Sequence, residues 1–342
     1  MSKRLAVLTA VFALAFSSAA TAQTIHAELV HTFPKNSSEG RQVVFSPDSR
    51  LFAVSFAGGD VELWRASDQK LIRTIKNPGG ATAVAFSPDG QTLVTSSYDA
   101  ALRVYRVADG ALLRTMTGQQ GTVWSVAYSP NAKMIASSGE DKTVRLWRAS
   151  DGALLHTMTG HERNVWCVAF SPDSRLVASS SFDKLVKLWS TDTGALIRTL
   201  TGAKEAVVTC DFSPNGQILA GGGDDSSVKL WRVSDGALLK KLTGGSDHVY
   251  SVKFSTDGKW IVSGGRGQGA VMTLWKQIAG GKHSPKGETI RLWRASDGKL
   301  MQVLSEHLDD VWAVDISPDG RWLVSNDESG VAKLWRLTTT RP

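Results

Sequence analysis

The sequence predicts an all-β fold: a seven-bladed β-propeller of four-stranded antiparallel blades, closed into a ring by an N-terminal strand that joins the last blade. A hydrophobic residue that stands directly before a turn such as Ser-Pro-Asp recurs seven times, in steps of 41, 42, 42, 42, 42 and 62 residues. Each step holds four short strand-like segments, and the last unit lacks a strand that the N-terminus can supply. Four strands in a repeat of about 40 to 45 residues are typical of a propeller blade.

The recurring hydrophobic residues, called the marker residues below, number the units from one to seven. They are Phe45, Phe86, Tyr128, Phe170, Phe212, Phe254 and Ile316.

The stretch 142–189 shows how one unit is built. The segments TVRLW and ALLHT are rich in β-branched and aliphatic residues, and Asp151-Gly152 between them is a strong hairpin signal. The segment NVWCVAF then precedes Ser171-Pro172-Asp173, where proline presets the first turn residue, and RLVASSS follows. Two hairpins therefore give the four strands of one blade.

The two ends of the chain complete each other. The last unit stops after its third strand, near Arg336, and so lacks a fourth. The segment ELVHTF, which ends at Phe33, precedes Phe45 at the same distance as ALLRTM precedes Tyr128. We therefore expect the N-terminal segment to complete the seventh blade, which removes an exposed sheet edge.

Residues 1–22 have the pattern of a cleaved secretory signal peptide. A basic start with Lys3 and Arg4 precedes an apolar run from Leu5 to Phe16 and then small residues up to Ala22. The apolar run is too short for a bilayer, which needs roughly twenty residues. We therefore expect an exported protein, periplasmic or extracellular, whose mature chain 23–342 forms the propeller and has no transmembrane segment.

The sixth unit carries about 20 extra residues. Trp293 lies 23 residues before Ile316, as the equivalent residues do in other units, whereas Trp275 lies 41 residues before it. The third strand is therefore expected at 289–294, with residues 266–287 as a glycine-rich, basic insertion between the second and third strands, which the family resemblance described below places on the top face. Both a functional flap and a decorative hairpin left by a partial repeat duplication fit this segment.

Composition and motifs narrow the function classes. A net charge of +7 is only mildly basic, so we expect no nucleic-acid partner. The sequence contains no Gly-x-Ser-x-Gly elbow, phosphate-binding glycine loop, Cys-x-x-Cys pair or His-Glu-x-x-His helix. We therefore expect a protein that is not an enzyme and that uses no cofactor or metal.

The repeats resemble the WD40 family over essentially the whole mature chain. The resemblance rests on the FSPDG-like turns, an aspartate six residues before the strand tryptophan, and the pair Gly160-His161. It identifies the chain as an exported, bacterial-type member with one systematic departure, because the aspartate that follows the family's tryptophan is replaced. Ser190 stands there in unit four, and the other units have Arg65, Arg106, Arg148, Arg232, Arg294 and Arg336.

The family's structural tetrad joins a histidine, a serine or threonine, an aspartate and a tryptophan. The resemblance assigns these roles in unit four to His161, Ser180 within the serine run 179–181, Asp183 and Trp189, and predicts that no other unit holds the set whole. In unit seven His307 is present, but Ser329 stands at the aspartate position. We expect structural roles for these residues, since no third metal ligand or nucleophile accompanies them.

Large aromatic residues recur four positions before the marker residues, as Trp124, Trp166, Tyr250 and Trp312. The resemblance implies that this position lines the top of the central channel and clamps an inserted side chain of a bound peptide. The residue before the turn aspartate adds to the same surface, and in this chain these neighbours are Tyr98, Glu140, Phe182 and Asp224. Aromatic and charged groups in a concavity are typical of peptide hot spots. The same aromatics could instead plug the channel or pack between blades.

We therefore expect a non-catalytic protein–protein interaction scaffold, monomeric on its own, that binds a peptide or protein loop at its top face. One alternative is a small-ligand-binding or enzymatic propeller that uses the central channel. Another is a polyanion- or surface-binding protein that uses the basic bottom rim formed by the arginines after the third strands. Asp151, Asp235 and Asp297 each follow such an arginine by three residues, and pairing with them would neutralise much of the charge.

The two cysteines lie on innermost strands of adjacent units. Cys167 and Cys210 have opposite parity relative to their marker residues, so they point either towards each other or directly apart. The sequence leaves open whether they form a disulfide.

Overall fold

A computed structural model describes residues 23–244, 246–267 and 289–340. In these ranges the chain forms seven four-stranded antiparallel sheets, each of which is one blade. Blade 1 comprises β2 (Gly40–Phe45), β3 (Leu51–Phe56), β4 (Asp60–Arg65) and β5 (Leu71–Lys76). Blade 2 comprises β6 (Ala83–Phe86), β7 (Thr92–Ser96), β8 (Leu102–Arg106) and β9 (Leu112–Met116). Blade 3 comprises β10 (Val123–Tyr128), β11 (Met134–Gly139), β12 (Val144–Arg148) and β13 (Leu154–Met158).

The remaining blades follow the same order from the innermost to the outermost strand. Blade 4 comprises β14 (Val165–Phe170), β15 (Leu176–Ser181), β16 (Val186–Ser190) and β17 (Leu196–Leu200). Blade 5 comprises β18 (Val207–Phe212), β19 (Ile218–Gly223), β20 (Ser227–Arg232) and β21 (Leu238–Thr243). Blade 6 comprises β22 (Ser246–Phe254), β23 (Trp260–Gly267), β24 (Ile290–Arg294) and β25 (Leu300–Leu304). Blade 7 comprises β26 (Val311–Ile316), β27 (Trp322–Asp327), β28 (Ala332–Thr340) and β1 (Thr24–Thr32).

The first and last strands of the chain close the ring, as predicted. Strand β1 pairs antiparallel with β28, with Ile25 opposite Thr339 and Leu29 opposite Trp335. Blade 1 also approaches blade 7 closely at Gly40, where a β-carbon would lie only 2.7 Å from the carbonyl oxygen of Asp327. A side chain cannot fit there, so the glycine permits this contact.

The Ser-Pro-Asp turns join the first and second strands of each blade. In blade 4 the Ser171 hydroxyl donates to Asp173 Oδ1 at 2.6 Å and accepts from the Leu176 amide at 2.9 Å. The fourth residue after each marker residue has a positive φ, for example 61° at Ser174 and 69° at Gly216. This left-handed position explains why glycine recurs there.

The hydrophobic core lies between successive blades. Trp189 of β16, for example, is 2% exposed and belongs to one buried cluster with Ala136 and Val144 of blade 3 and Phe170 of blade 4. Each blade therefore buries its faces against its two neighbours, as expected for a closed propeller.

Hydrogen bonds also join neighbouring blades at the inner and outer edges. On the innermost strands, the amides of Val84 and Val168 donate to Gln42 Oε1 and Ser125 Oγ of the preceding blade, at 2.9 and 3.2 Å. On the outermost strands, Arg73 donates to two carbonyl groups of the β8–β9 turn. Equivalent bonds come from Arg114, His156, Arg198 and Lys240.

Two predicted segments fall outside the described residues. These are the signal peptide at 1–22 and nearly all of the insertion at 266–287. The third strand of blade 6 nevertheless occupies Ile290–Arg294, as the tryptophan spacing predicts. In the described ranges, no helix has the length and apolar character needed to cross a membrane.

Candidate functional site

A β-bulge orients the predicted aromatic residues at the top of the channel. The register of the two innermost strands shifts at the position four residues before the marker residue, for example between Val165 and Cys167 around Trp166. The same shift surrounds Arg41, Trp124, Val208, Tyr250 and Trp312. A bulge leaves one residue outside the ladder and redirects its side chain, often beside a functional site. Together with Thr82 of blade 2, these seven residues form the channel mouth.

Four aromatic residues form a continuous stack on one side of the mouth. The rings of Trp124 and Trp166 are parallel within 17°, with centroids 4.3 Å apart. Phe182 packs on Trp166 at 4.9 Å, and Tyr98 meets Trp124 edge-on at 5.9 Å. Blades 2, 3 and 4 thus present one aromatic surface, and all four side chains are half-buried. Stacks of this kind gain about 0.5–1.5 kcal/mol per pair beyond area burial.

A second stack lies on the other side of the mouth. Tyr250 and Trp312 are parallel within 13°, with centroids 4.8 Å apart, and His248 stacks on Tyr250 at 5.7 Å. The Arg41 guanidinium lies 5.1 Å from the Trp312 ring and 5.8 Å from the Tyr98 ring, so it links the two stacks. Cation–π contacts of this kind are attractive.

Two residues of the mouth, and Glu140 of the predicted surface, do not join these stacks. Val208 and Thr82, at the mouth position of blades 5 and 2, are buried. Glu140 is exposed, and its carboxylate accepts a hydrogen bond from the Thr122 amide at 3.0 Å. The predicted set therefore divides into aromatic side chains that stack and two acids, Glu140 and Asp224, that lie outside the stacks.

A hydrogen bond and an ion pair connect neighbouring blades just outside the mouth. Asp224 of blade 5 pairs with His248 of blade 6 at 3.1 Å, and Arg266 of blade 6 pairs with Asp310 of blade 7 at 2.7 Å. Burial raises the pKa of Tyr250 to about 12, although the Arg266 charge opposes this. The phenol is therefore neutral at physiological pH and can act as a hydrogen-bond donor.

Sequence reasoning missed Arg266 and Glu328 as members of this surface. Both stand twelve residues after a marker residue, as do Tyr98, Glu140, Phe182 and Asp224. The same spacing could have found them.

The channel below the mouth carries charge on one side. A cavity of about 300 Å³ is lined at one end by the mouth aromatics and deeper by Asp211 and Lys253, whose charged groups are 3.5 Å apart. Asp315 stands at the equivalent position of blade 7, and burial raises its pKa to about 6. The carboxylates of Asp211 and Asp315 accept the amides of Phe254 and Phe45 at 2.8 and 2.7 Å. These charges therefore also join blades.

A larger cavity of about 760 Å³ lies elsewhere, between blades 5 and 6. Its lining includes Pro214, Phe254, Trp260 and Arg294, and none of the predicted partner-binding residues. In the part of the chain that the structure describes, no group of three or more histidine, cysteine or acidic residues is arranged to hold a metal ion.

The tetrad of blade 4 is present, but its serine is Ser179 and not Ser180. His161 Nδ1 lies 2.7 Å from Asp183 Oδ2, and His161 Nε2 lies 2.8 Å from Ser179 Oγ, which also accepts the Trp189 indole N–H at 2.8 Å. Ser179 shares a sheet face with Trp189, since Trp189 pairs with Val177 two residues before it. Ser180 points to the opposite face because strand residues alternate.

Blade 7 holds a second complete tetrad, so the prediction that only unit four has the set whole is wrong. Asp327 Oδ2 lies 2.7 Å from His307 Nδ1, and Ser325 Oγ bonds both His307 Nε2 and the Trp335 indole. The aspartate comes two residues earlier than in blade 4, and Ser329 donates to it. Burial lowers the pKa of His307, and its hydrogen bond keeps the pKa of Asp327 low although burial opposes this.

The arginines after the third strands are mostly paired with the turn aspartates. Arg148 and Asp151 are 2.7 Å apart, and the amide of Ala153 followed by Arg148 lowers the pKa of Asp151. Arg65, Arg106, Arg232 and Arg294 make the same contact with the aspartate three residues later. Arg336 instead lies over the Trp322 ring at 5.6 Å. The arginines that replace the family's aspartate therefore stabilise the turns between the third and fourth strands.

Comparison with known families matches these repeats. Residues 80–226 match the family described as IFT122 first beta-propeller, and residues 236–275 and 298–336 match the WD domain, G-beta repeat. The chain thus contains WD40 repeats in a β-propeller domain, a fold that generally serves as a protein-interaction scaffold. No curated protein matches the chain.

Proposed function

We propose that this protein is an exported, non-catalytic interaction scaffold that binds a peptide or protein loop at the channel mouth. The observation that carries the proposal is the aromatic stack of Phe182, Trp166, Trp124 and Tyr98, which is half-exposed at the top of the channel. Rigid aromatic faces supply contact area at little cost in conformational entropy, and they dominate binding hot spots.

The burial of the mouth aromatics favours a binding role over a packing role. Trp124, Trp166, Tyr250 and Trp312 belong to none of the buried clusters between the blades. All four side chains are partly exposed, so their aromatic faces are accessible to a bound segment.

The paired bottom arginines make a polyanion-binding role the weaker proposal. Five of the six arginines face an aspartate within 2.9 Å, so little net positive charge is left on that rim. The charged residues of the channel are themselves hydrogen-bonded between blades, which supports a structural role for them over a catalytic one.

Affinity capture from the envelope and secreted fractions of the exporting cell tests the proposal. Three forms of the mature chain serve as baits: the wild type, the double variant Trp166→Ala plus Trp312→Ala, and the single variant Trp322→Ala. The last is a matched control, because Trp322 packs away from the mouth. A partner captured by wild type and control but lost with the double variant supports the proposal. Equal capture by all three baits contradicts it.

Export is tested separately by the intact mass of the protein recovered outside the cytoplasm. A chain that begins at Gln23 is expected, and a chain that begins at Met1 would contradict cleavage of the signal peptide.

A further inference from the structure

Like charges meet at the junction of blades 7 and 1, whereas at the two preceding junctions a carboxylate contacts a histidine or an arginine. Asp224 with His248 and Arg266 with Asp310 each join the residue twelve after one marker residue to the residue six before the next. At the blade 7 to blade 1 junction the same two positions hold Glu328 and Glu39. Two carboxylates at equivalent positions repel each other, so this junction is electrostatically incomplete.

The surroundings of Glu328 add further negative charge. Its amide bonds the carbonyl of Asp310 at 2.9 Å, which places it beside the segment of Asp309 and Asp310. Burial, followed by the charges of Asp309, Asp310 and Glu39, raises the pKa of Glu328. We call Glu39, Asp309 and Glu328 the acidic notch.

The nearby cations are already engaged. Arg41 pairs with Glu39 at 2.6 Å, and Arg266 pairs with Asp310 at 2.7 Å. Among the described residues, Glu328 and Asp309 have no ion-pair partner, so a surplus of negative charge faces the second aromatic stack. The whole chain has the opposite sign, at +7, so the notch is a local feature.

The partner's chemistry follows from this arrangement and rests on the proposed function. We propose that the bound peptide or loop carries a lysine or arginine side chain that docks in the acidic notch beside Trp312. Its charge would neutralise the junction, as Arg266 does for Asp310 between blades 6 and 7. A second part of the same segment would lie on the stack of Trp124 and Trp166. The charge of the acidic notch does not determine which residue binds there.

Selection from a phage-displayed random peptide library tests the partner's chemistry. The baits are wild type, Trp124→Ala plus Trp166→Ala, and Glu328→Gln plus Asp309→Asn. Peptides selected by wild type are expected to need Trp124 and Trp166 and to be enriched in arginine and lysine. The selected peptide with the highest affinity should bind the notch variant about tenfold more weakly and Glu28→Gln, a remote exposed acid, equally well.

The outcomes separate the two proposals. Peptides that need the tryptophans but show no basic enrichment, or that bind the notch variant as tightly as wild type, overturn the acidic notch and leave the proposed function standing. Peptides that are indifferent to the tryptophans overturn the proposed function itself. Thermal unfolding of every bait confirms that the variants are folded.

An independent observation concerns the two cysteines. Their sulfur atoms are 3.4 Å apart across the contact of β14 and β18, and the Cys210 amide donates to Cys167 Sγ at 3.3 Å. The thiols therefore face each other, which resolves the ambiguity of the sequence. Both cysteines line the channel cavity, but Cys167 is half-buried whereas Cys210 is only 2% exposed.

The environment makes Cys167 the reactive member of the pair. The hydrogen bond from the Cys210 thiol lowers the pKa of Cys167, and the Lys253 charge adds to this although burial opposes it. The thiolate is the nucleophile in disulfide exchange.

We infer that Cys167 and Cys210 are a redox pair that closes into a disulfide between blades 4 and 5. The oxidant is a small disulfide. The Cys167 thiolate attacks one of its sulfurs and releases the first thiol; the Cys210 thiolate then attacks the mixed disulfide at Cys167 and releases the second. Each cysteine loses one proton, and the two electrons pass to the oxidant, which leaves as two thiols.

Cystamine and an alkylating reagent test this inference. After incubation with cystamine and quenching, intact mass should show a chain that has lost two hydrogens and takes up no alkyl group. The Cys210→Ser variant should instead retain one cysteamine group on Cys167. The oxidised wild type should unfold roughly 5 °C higher than the reduced chain. A wild type that keeps cysteamine or remains fully alkylated under native conditions overturns the inference.

Discussion

The indole rings of Trp124 and Trp166 stack face to face across two adjoining blades, with centroids 4.3 Å apart. Neither residue is near the other in sequence, and each is the extra residue of a β-bulge. The arrangement of the blades around the propeller axis therefore brings the two indoles together. Their stack gives the mouth a flat surface that spans a blade boundary.

The stacked pair has a spectroscopic consequence. Closely stacked indoles couple electronically, so wild type should show an exciton couplet in its circular dichroism spectrum. Trp124→Phe and Trp166→Phe should each abolish it, while Trp322→Phe, on a distant strand, should retain it. Because both side chains are half-exposed, each substitution should cost no more than about 1.5 kcal/mol of unfolding free energy. A couplet that survives in either mouth variant would contradict the stack.

The two adjacent serines of blade 4 should respond very differently to substitution. Ser179→Ala leaves His161 Nε2 and the Trp189 indole without their common partner, and it should cost about 2–3 kcal/mol of unfolding free energy. Ser180 Oγ takes no part in the tetrad and has only the Cys210 thiol as a weak hydrogen-bond partner, so Ser180→Ala should change stability by less than about 0.5 kcal/mol. Urea unfolding of the two variants checks this, and equal losses would refute the assignment.

Deletion of the N-terminal strand should open the ring. Removing residues 24–33 deletes β1, so one edge of β28 loses its backbone hydrogen bonds. It also exposes the buried side chains of blades 6 and 7 that pack against Ile25. The melting temperature should fall by more than about 10 °C, or cooperative unfolding should disappear. A mature chain that lacks these residues and melts as wild type does would show that closure is not needed.

The buried carboxyl of Asp315 should make stability depend on pH. Its folded pKa of about 6 lies above the ordinary value of 3.8, so the folded state holds its proton more tightly than the unfolded state. Stability from this group is therefore complete below about pH 4 and is lost as the pH rises to about 6. Asp315→Asn keeps an acceptor for the Phe45 amide and removes this titration. It should gain about 1–2 kcal/mol relative to wild type between pH 4 and 7. A difference that stays constant over this range would contradict the assignment.

Periodicity was enough to predict the fold, because each unit repeats the same hydrophobic and turn pattern. The spacing of Trp293 from Ile316 identified the third strand of blade 6, and the position of Thr32 relative to Phe45 predicted ring closure. These inferences depend only on register along the chain.

The errors arose where register alone is not sufficient. The sequence offers a run of three serines at 179–181, and only the pairing of Trp189 with Val177 decides which of them shares the face of Trp189. Asp327 was missed because its carboxylate reaches His307 from a position two residues earlier than in blade 4. The identity of the tetrad serine and that of the tetrad aspartate both depend on side-chain contacts between strands.

The sequence predicts which aromatic residues belong to the candidate site, but it does not predict how their side chains are arranged. The spacing to the marker residues located Trp124, Trp166, Tyr250 and Trp312, yet it could not show that the four fall into two stacks linked by Arg41. Glu328 and Arg266 have the spacing of the predicted residues, but the spacing does not show their importance, which lies in the charge of the neighbouring blade.

The affinity of a captured partner segment tests the central claim most directly. Isothermal titration with wild type, Trp166→Ala plus Trp312→Ala, and the control Trp322→Ala compares the loss of two mouth aromatics with the loss of one tryptophan elsewhere. The account predicts a dissociation constant at least about thirtyfold higher for the double variant, because loss of hot-spot aromatics costs 2 kcal/mol or more, and about the wild-type value for the control. An unchanged dissociation constant for the double variant would contradict binding at the mouth.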